Sequence, residues 1–579
     1  MNNILIQHSD TREYIYPIAR NQIFLKFALY SSPGAIVKIT YWKRFEDERI
    51  SVQPLANFHL EGLSPYYYTQ LTFSESTRYL LYFFTVTIAD HSYYYSPLGL
   101  TEKKPDQYFQ YQYTNENDVY QIPSWSQGKV GYHIFVDRFM NGDPNNDVAE
   151  KVSWDSLPSR TNFFGGDLKG IIQKLDYLQD LQIATVILSP IFVSPSNHKY
   201  DTIDYFHIDP SFGTIEDLRT LVRGAHQRNI KVILDGVFNH IGYYSLIFQD
   251  VITHGESSQY WDWFYIHGSK VDTEFVNYEC VGDYKWMPKL RYSSSSLREY
   301  ILSIGKYWIE VADIDGWRLD VADEVDFTFW QRFRQEIKKI RSDTLLVGET
   351  WKDGRDLLRG DEMDTIMNYR FRTNVVSFLG GGSLDVKSFQ HQMEEMIFNY
   401  PSPVHHHLYN LLSSHDTSRI MTALNNNIKR VKQAIVLLMT YPGMPIIFYG
   451  DEMGMEGETD PDCRKTMCWS TARSSIEAFT RRMIDIRNTS LSLQKGSMMH
   501  LNIGKSIYCF MRKLDDEWML IMINPTDIDE QLDIHVSDLC LETLPQSHDA
   551  SMVVSVRGHE SMLIHGSFVK GTINEVRFL

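Results

Sequence analysis

The segment GWRLDVADE, residues 316–324, decides how this chain folds. It opens with a short apolar run typical of a buried strand, and the run ends at the carboxylate of Asp320. The same pattern occurs at seven other places between residues 123 and 492, each followed by a helical stretch or a longer loop. Eight strand–helix units in this order predict an α/β fold, a (β/α)8 barrel with insertions.

The eight barrel strands are predicted from apolar runs that end in polar residues. They are residues 130–136, 184–188, 231–237, 316–320, 345–349, 365–368, 408–412 and 445–449. Thr214 is expected to cap the helix before the third strand, and Asn229 to take the left-handed position that closes it. Residues 241–293 form the largest gap and are predicted to be an irregular inserted subdomain without a helix.

The barrel is expected to be flanked by two other domains. Residues 1–122 contain short alternating runs typical of strands, which predict a β-sandwich. The barrel is predicted to span residues 123–492. Residues 493–579 again contain runs typical of strands, which predict a second, smaller β-sandwich.

Composition narrows the class of partner. The net charge of -17 argues against a nucleic acid or an anionic membrane as partner, since both require a basic surface. The N-terminus lacks a signal-peptide pattern, and the longest apolar stretch, 434–450, is interrupted by proline and glycine, so no membrane span is expected. Five cysteines, an odd number without zinc-type spacing, suit reduced thiols in a cytoplasmic protein.

Polar residues converge where the predicted strands end, which in such a barrel is the face that carries chemistry. They are Asp235, His240, Arg318, Asp320, Glu349, His415 and Asp416. Any one carboxylate alone is more often an ion-pair partner or a helix cap. Several carboxylates buried together at one end of the barrel are costly to desolvate unless they take part in catalysis or bind a ligand. A metal site is the competing use, but Arg318 already supplies positive charge beside Asp320.

These residues lie in four short motifs: DGVFNH (235–240), GWRLDVADE (316–324), GET (348–350) and SSHD (413–416). In this order they resemble the α-amylase family, glycoside hydrolase family 13. Further segments are MPKL (287–290), SNHKYDTIDY (196–205), FFGGDLKGI (163–171) and MPIIFYGDEMGMEGETDPDCRK (444–465). They resemble the group of cyclomaltodextrinases, maltogenic amylases and neopullulanases, and the resemblance covers nearly the whole chain.

The resemblance implies roles for individual residues. Asp320 is the expected nucleophile, Glu349 the general acid/base and Asp416 the third carboxylate. Arg318 is expected to lower the pKa of Asp320, and the other carboxylates to raise the pKa of Glu349. The remaining expected substrate contacts are Tyr200 as a stacking platform, His240 and His415 on sugar hydroxyls, Asp460 and Arg464 on the glycone side, and Trp351 near the aglycone side.

A structural calcium ion is also implied. Asn141, Asp143, Asn146 and Asp147 place oxygen ligands within seven residues, and Asp167 with the Gly165 carbonyl completes the pattern of relatives. An Asx-rich turn is the alternative interpretation of this segment.

Five residues depart from the usual family pattern. Gly131 and His133 stand where relatives usually carry an aromatic residue and glutamine, and Val136 replaces a common proline. Asp323 replaces the asparagine after the nucleophile, and Lys352 stands where histidine is frequent. Asp323 and Lys352 are expected on the aglycone side, where they affect the acceptor.

The expected activity is retaining hydrolysis of α-1,4-glucosidic bonds in cyclodextrins and maltodextrins, with pullulan and starch as further candidates and transglycosylation as a side reaction. A glucan-transferring or branching enzyme is one alternative, and a catalytically silent sugar-binding scaffold is another. Relatives form homodimers in which the N-terminal domain covers the partner's active site, and the same is expected here.

Overall fold

The computed structural model describes residues 4–30, 34–45, 49–59, 61–469, 474–535, 551–567 and 572–579. The N-terminal part contains two antiparallel sheets, ordered β1-β3-β7-β6 with β2 beside β3, and β10-β9-β8-β4-β5 with β11 beside β8. Ile23, Leu25 and Phe27 from one sheet and Val37 and Ile39 from the other share one core. The strands are β1 (Leu5–Gln7), β2 (Ile15–Ala19), β3 (Gln22–Tyr30), β4 (Ile36–Lys43), β5 (Ser51–Pro54), β6 (Ala56–Asn57), β7 (Tyr66–Thr72), β8 (Arg78–Ile88), β9 (His91–Ser96), β10 (Gly99–Thr101) and β11 (Phe109–Tyr113).

The middle of the chain forms a closed barrel of parallel strands, as predicted. Its strands are β12 (Gly131–Ile134), β13 (Thr185–Leu188), β16 (Lys231–Gly236), β17 (Gly316–Leu319), β18 (Leu345–Gly348), β19 (Thr365–Asn368), β20 (Tyr409–Leu411) and β21 (Met444–Phe448); a hairpin of β14 (Phe192–Val193) and β15 (Asp204–Ile208) follows β13. Seven barrel strands lie within their predicted ranges, and β21 begins one residue early.

Helices connect the barrel strands and pack around them. They are α1 (Leu168–Gln173), α2 (Leu175–Asp180), α3 (Ile215–His226), α4 (Leu246–His254), α5 (Ser295–Ala312), α6 (Phe327–Ile340), α7 (Tyr369–Leu379), α8 (Val386–Asn399), α9 (Ile420–Ala423), α10 (Ile428–Thr440), α11 (Ser475–Thr489) and α12 (Leu491–Lys495). The predicted cap of α3 is confirmed: Thr214 and Asp217 form a reciprocal capping box. Asn229 takes the left-handed conformation, with φ 57°.

The prediction that residues 241–293 lack a helix was wrong, because α4 lies there. Ser245 caps it by accepting a hydrogen bond from the backbone N–H of Phe248. The helix has nine residues and buries only Phe248 and Val251. Two apolar contacts in so short a segment give too weak a helical period to stand out in the sequence.

The C-terminal part contains a five-stranded antiparallel sheet, ordered β22-β23-β24-β27-β28, and a separate pair, β25-β26. The strands are β22 (Ser497–His500), β23 (Tyr508–Leu514), β24 (Glu517–Ile523), β25 (Glu530–His535), β26 (Ser551–Val556), β27 (Ser561–Ser567) and β28 (Thr572–Phe578).

Cys280, Cys463, Cys468 and Cys509 are free thiols, and Cys540 lies outside the described residues. No described helix combines the length and apolar character that crossing a membrane requires.

One buried junction joins all three parts of the chain. The His500 backbone N–H donates to the Phe58 carbonyl of the N-terminal part at 2.9 Å. The His500 side chain pairs with Glu394 of α8 at 3.0 Å, and both side chains are almost fully buried. Nearby, the buried amine of Lys26 on β3 donates to the carbonyls of Phe398 and Asn399 at the end of α8.

Candidate active site

The predicted polar residues meet at the carboxyl ends of the barrel strands. Asp235 lies on β16, Arg318 lies on β17, and Asp320 and Glu349 directly follow β17 and β18. All four side chains are buried. In the parallel ladder Asp235 and Arg318 are register partners, so the strand pairing itself places their side chains beside each other.

Arg318 links three carboxylates through one guanidinium group. Its Nη1 donates to both oxygens of Asp235 at 2.8 and 2.9 Å and to Asp320 Oδ1 at 2.7 Å. Its Nη2 lies 2.7 Å from Glu349 Oε2. Asp320 and Glu349 therefore flank a single cation, and one positive charge faces three buried carboxyl groups.

The carboxyl pKa values reflect this imbalance. Burial raises the pKa of Asp320 to about 6, and Arg318 only partly opposes it. Arg318 does lower the pKa of Asp320, as predicted, but burial outweighs this effect, so the net shift is upward. Burial, followed by the charges of Asp320 and Asp416, raises the pKa of Glu349 to about 7. The predicted direction for Glu349 is confirmed, with burial as its main cause.

The backbone between the two carboxyl groups is strained. Val321, the residue after Asp320, adopts a left-handed conformation with φ 46°, which is unfavourable for a β-branched side chain. In this conformation its backbone N–H donates to Glu349 Oε2 at 3.0 Å. Sequence analysis gave no role to Val321, since nothing in its residue type signals positive φ.

Asp416 occupies a different electrostatic environment. His415 Nε2 lies 2.9 Å from Asp416 Oδ2, and Arg464 Nη2 lies 3.3 Å from its Oδ1. Arg464 also pairs with Asp460 at 3.0 Å. Burial alone raises the pKa of Asp416, but His415 and Arg464 outweigh burial and hold that pKa below its usual range. Asp416 is therefore ionised while Glu349 is still protonated.

Tyr200 lies on the other side of this cluster. Its ring stacks on His415 with centroids 5.0 Å apart and an interplanar angle of 14°. Its hydroxyl donates to Asp235 at 3.0 Å. His240 Nε2 lies 3.0 Å from the Tyr200 carbonyl oxygen, so His240 holds the Tyr200 backbone. A contact between His240 and a sugar hydroxyl stays a prediction.

An exposed aromatic side chain follows Glu349 at the mouth of the barrel. Trp351 is 55% exposed and stacks on the buried ring of Tyr369 with centroids 4.0 Å apart. Two of the five departures from the family pattern form an ion pair beside it: Lys352 Nζ lies 3.2 Å from Asp323 Oδ2. Sequence analysis assigned no role to Asp235 or Tyr369, although Asp235 lies in a quoted motif.

The predicted calcium ligands form a second cluster, in the loop after β12. Asp167 accepts from the backbone of Gly142, Asp143 and Gly170 and from the Asn146 side chain. Other predicted ligands are engaged by amines: Lys169 binds Asp143 at 2.6 Å and Lys151 binds Asp147 at 2.7 Å.

Two side-chain oxygens of this cluster have no partner. Asn141 Oδ1 and Asn146 Oδ1 are buried without a hydrogen bond from any described residue. Gly165 has φ 80°, and a side chain there would collide with Asp147 and Asn141. The described residues contain no group of three or more His, Cys, Asp or Glu side chains placed to hold a metal, so a calcium ion here would depend on amide and carbonyl oxygens.

The fold and this site define a class: a barrel enzyme whose paired carboxyl groups differ in protonation at one mouth, as glycoside hydrolases require. Residues 133–490 match the family model described as alpha amylase, catalytic domain. The chain belongs to the alpha-amylase family and is a glycoside hydrolase.

Relatives and solved structures agree with this assignment. The chain is 39% identical over 530 residues to a cyclomaltodextrinase of Thermoanaerobacter pseudethanolicus, covering 90% of this chain and 92% of the relative. It is 38% identical to neopullulanase 2 of Thermoactinomyces vulgaris, covering 90% of each. A solved cyclomaltodextrinase structure superposes with a TM-score of 0.87 at 30% identity, over 96% of this chain and 98% of the other.

The two raised pKa values predict a bell-shaped pH profile of kcat/KM. In the roles predicted from the sequence, Asp320 acts ionised and Glu349 protonated, so activity is expected to fall as pH drops through about 6 and as it rises through about 7. Because the groups interact, the two apparent pKa values belong to the pair. Initial rates from pH 4.5 to 9 measure them, and a profile that stays flat across this range contradicts the assignment.

Proposed function

We propose that the protein hydrolyses α-1,4-glucosidic bonds with retention of configuration, with Asp320 as nucleophile, Glu349 as general acid/base and Asp416 as the carboxylate that binds sugar hydroxyls. The observation that carries the proposal is the shared guanidinium: Asp320 and Glu349 lie 2.7 Å from two different nitrogens of Arg318. Carboxyl groups held this way flank one position, as the retaining mechanism requires.

In the first step protonated Glu349 donates its proton to the glycosidic oxygen as the bond from that oxygen to the anomeric carbon breaks. An Asp320 oxygen attacks the anomeric carbon and forms a covalent glycosyl ester. In the second step Glu349 takes a proton from water, whose oxygen displaces Asp320. Asp416, ionised and oriented by His415, binds hydroxyls more tightly as the ring flattens in the transition state.

Cyclodextrins and short maltodextrins are the proposed substrates, with pullulan and starch as further candidates. The names of the relatives, cyclomaltodextrinase and neopullulanase, support this class. Trp351 offers a stacking surface for the leaving sugar, and the Asp323–Lys352 pair beside it supplies charged hydrogen-bonding groups. These groups suit an acceptor sugar, which supports transglycosylation alongside hydrolysis.

A relative named intracellular maltogenic amylase, from Bacillus subtilis, supports a cytoplasmic location.

Glu349→Gln tests the catalytic assignment. It keeps the shape of the side chain but removes the proton donor, so kcat falls by about 10²- to 10⁴-fold while the substrate still binds. Glu362→Gln is the matched control, since Glu362 is equally buried and its pKa is raised to about 8 away from the site. Rates on γ-cyclodextrin measure the effect, and full activity in Glu349→Gln rules out this role.

Chromatography of products from γ-cyclodextrin, pullulan and starch separates the alternatives. Products shorter than the substrate identify a hydrolase, and products longer than the substrate favour the glucan-transferring alternative. A wild-type protein that binds these glucans without turnover indicates the silent scaffold, although the chain retains all three carboxylates.

We propose that the second cluster holds a structural calcium ion. The buried oxygens of Asn141 and Asn146 without partners support this, because unpaired buried acceptors are costly and hard oxygen ligands suit Ca²⁺. The Gly165 carbonyl would join these two amide oxygens, whereas the other predicted ligands, Asp143, Asp147 and Asp167, are held by Lys169, Lys151 and backbone N–H groups. The ion would tie the loop after β12 to the start of α1.

Calcium binding predicts a metal-dependent melting temperature. Protein treated with EGTA melts lower, and Ca²⁺ at about 100 times its Kd restores about 2.7 kcal/mol of stability. Asn146→Ala weakens this rescue, whereas Asn145→Ala, at an exposed neighbour, does not. Equal melting curves with EGTA and with Ca²⁺ refute the proposal and favour the Asx-rich turn.

We propose that the protein is a homodimer in which the N-terminal domain of one protomer covers the barrel mouth of its partner. Two exposed apolar patches support this. One, on the β4–β5 edge and the start of β8, consists of Phe45, Ile50, Val52 and Tyr79; the other, on the inserted subdomain, consists of Tyr244, Leu246, Phe275, Tyr284 and Trp286. Contiguous exposed apolar surfaces mark interaction sites, and a twofold axis pairs unlike patches twice.

Polar substitution in the second patch is expected to dissociate the dimer. The double variant Leu246→Ser/Phe275→Ser removes two apolar side chains that are 86% and 79% exposed, so the fold itself is not disturbed. Ile528→Ser is the control, since Ile528 is 75% exposed on the C-terminal part. Sedimentation measures the mass; a monomeric wild type, or a double variant that stays dimeric, contradicts the proposal.

A further inference from the structure

A second imidazole lies beneath the proposed sugar site, and catalysis as described above does not use it. His133 on β12 is buried, and its Nδ1 lies 2.9 Å from the Tyr409 hydroxyl on β20. Its ring meets the His415 ring edge to face, with centroids 5.6 Å apart and an interplanar angle of 76°.

Each of these two imidazoles has one buried nitrogen without a partner. His133 Nε2 and His415 Nδ1 have no hydrogen bond to any described residue. Two unpartnered polar atoms on rings in direct contact are costly unless they satisfy each other, directly or through one internal water.

The chemistry of Asp416 fixes which nitrogen carries each proton. An ionised carboxylate only accepts hydrogen bonds, so His415 Nε2, 2.9 Å from Asp416, carries a proton. A neutral His415 then presents a lone pair at Nδ1 and needs a donor. His133 supplies one if its own proton is on Nε2, in which case the Tyr409 hydroxyl donates to Nδ1.

We propose that His133 is a positioning residue whose Nε2–H, directed at His415 Nδ1, fixes the orientation of the His415 ring and through it the orientation of Asp416. The proposal rests on the proposed role of Asp416 in binding sugar hydroxyls. The ordered chain is the Tyr409 hydroxyl to His133 Nδ1, His133 Nε2–H towards His415 Nδ1, and His415 Nε2–H to Asp416.

The surrounding charges agree with a neutral His133. Burial, followed by His415 and Arg318, lowers the pKa of His133 well below its usual value, and only Asp416 opposes them. The other groups facing His415 are Tyr200, His198, Cys463 and Arg464. Without the His133 donor, His415 Nδ1 has no partner among the described residues, and neither the His415 ring nor Asp416 keeps one fixed orientation.

His133→Leu, His133→Gln and Tyr409→Phe test this on the full-length protein. Leucine removes the donor, so kcat falls by about 10- to 100-fold with KM little changed. Glutamine, which offers an amide N–H, restores most of kcat. Tyr409→Phe gives a smaller loss in the same direction, and its effect is not additive with that of His133→Leu.

Wild-type kinetics in His133→Leu overturn the proposal, and so does a glutamine variant as impaired as the leucine variant, since both results mean that no donor is needed. If the melting curve shows that His133→Leu does not fold, Tyr409→Phe still decides: an unchanged kcat overturns the proposal. A wild-type protein inactive on γ-cyclodextrin, pullulan and starch removes the proposed function as well, whereas an active wild type with unaffected variants removes only this inference.

Discussion

The guanidinium of Arg318 is the constraint on which the site depends. Three buried carboxyl groups within hydrogen-bonding or ion-pairing reach of one another are unstable without a cation, since the cost of burying an unpaired charge is several kcal/mol. The register of β16 with β17 places Asp235 beside Arg318, and Asp320 follows Arg318 by two residues, directly after β17. Hydrogen bonding within the barrel and the chemistry of its mouth are therefore set by the same strand alignment.

The guanidinium of Arg318 is shared by three carboxyl groups, and the carboxyl groups of the site differ in pKa. Glu349 keeps a raised pKa because it is buried and lies beside the charges of Asp320 and Asp416. Asp416 keeps a lowered pKa because His415 and Arg464 outweigh its burial. The site therefore contains a proton donor and a permanent anion side by side. The strained Val321 turn adds a backbone N–H to Glu349, which shows that local strain and electrostatics act on the same residue.

Most of the barrel could be predicted from the sequence because its strands are apolar runs with polar ends, a pattern that one chain displays directly. The carboxylates were found for the same reason. Other features depend on three-dimensional proximity: the pKa of Asp320 is raised because burial outweighs Arg318, and the pairing of Asp323 with Lys352 joins two loops. Short α4 was missed because its burial is slight, and the unpartnered nitrogens of His133 and His415 exist only once the rings meet.

The buried junction around His500 has a consequence for the whole molecule. It ties strand β22, helix α8 and the backbone of Phe58 together, so residues more than four hundred positions apart in sequence share one buried contact. Pulling any one of the three away breaks a buried polar contact with His500. Cooperativity then extends across domain borders, and heat is expected to melt this multidomain chain in a single calorimetric transition, with no separately folded fragment left behind.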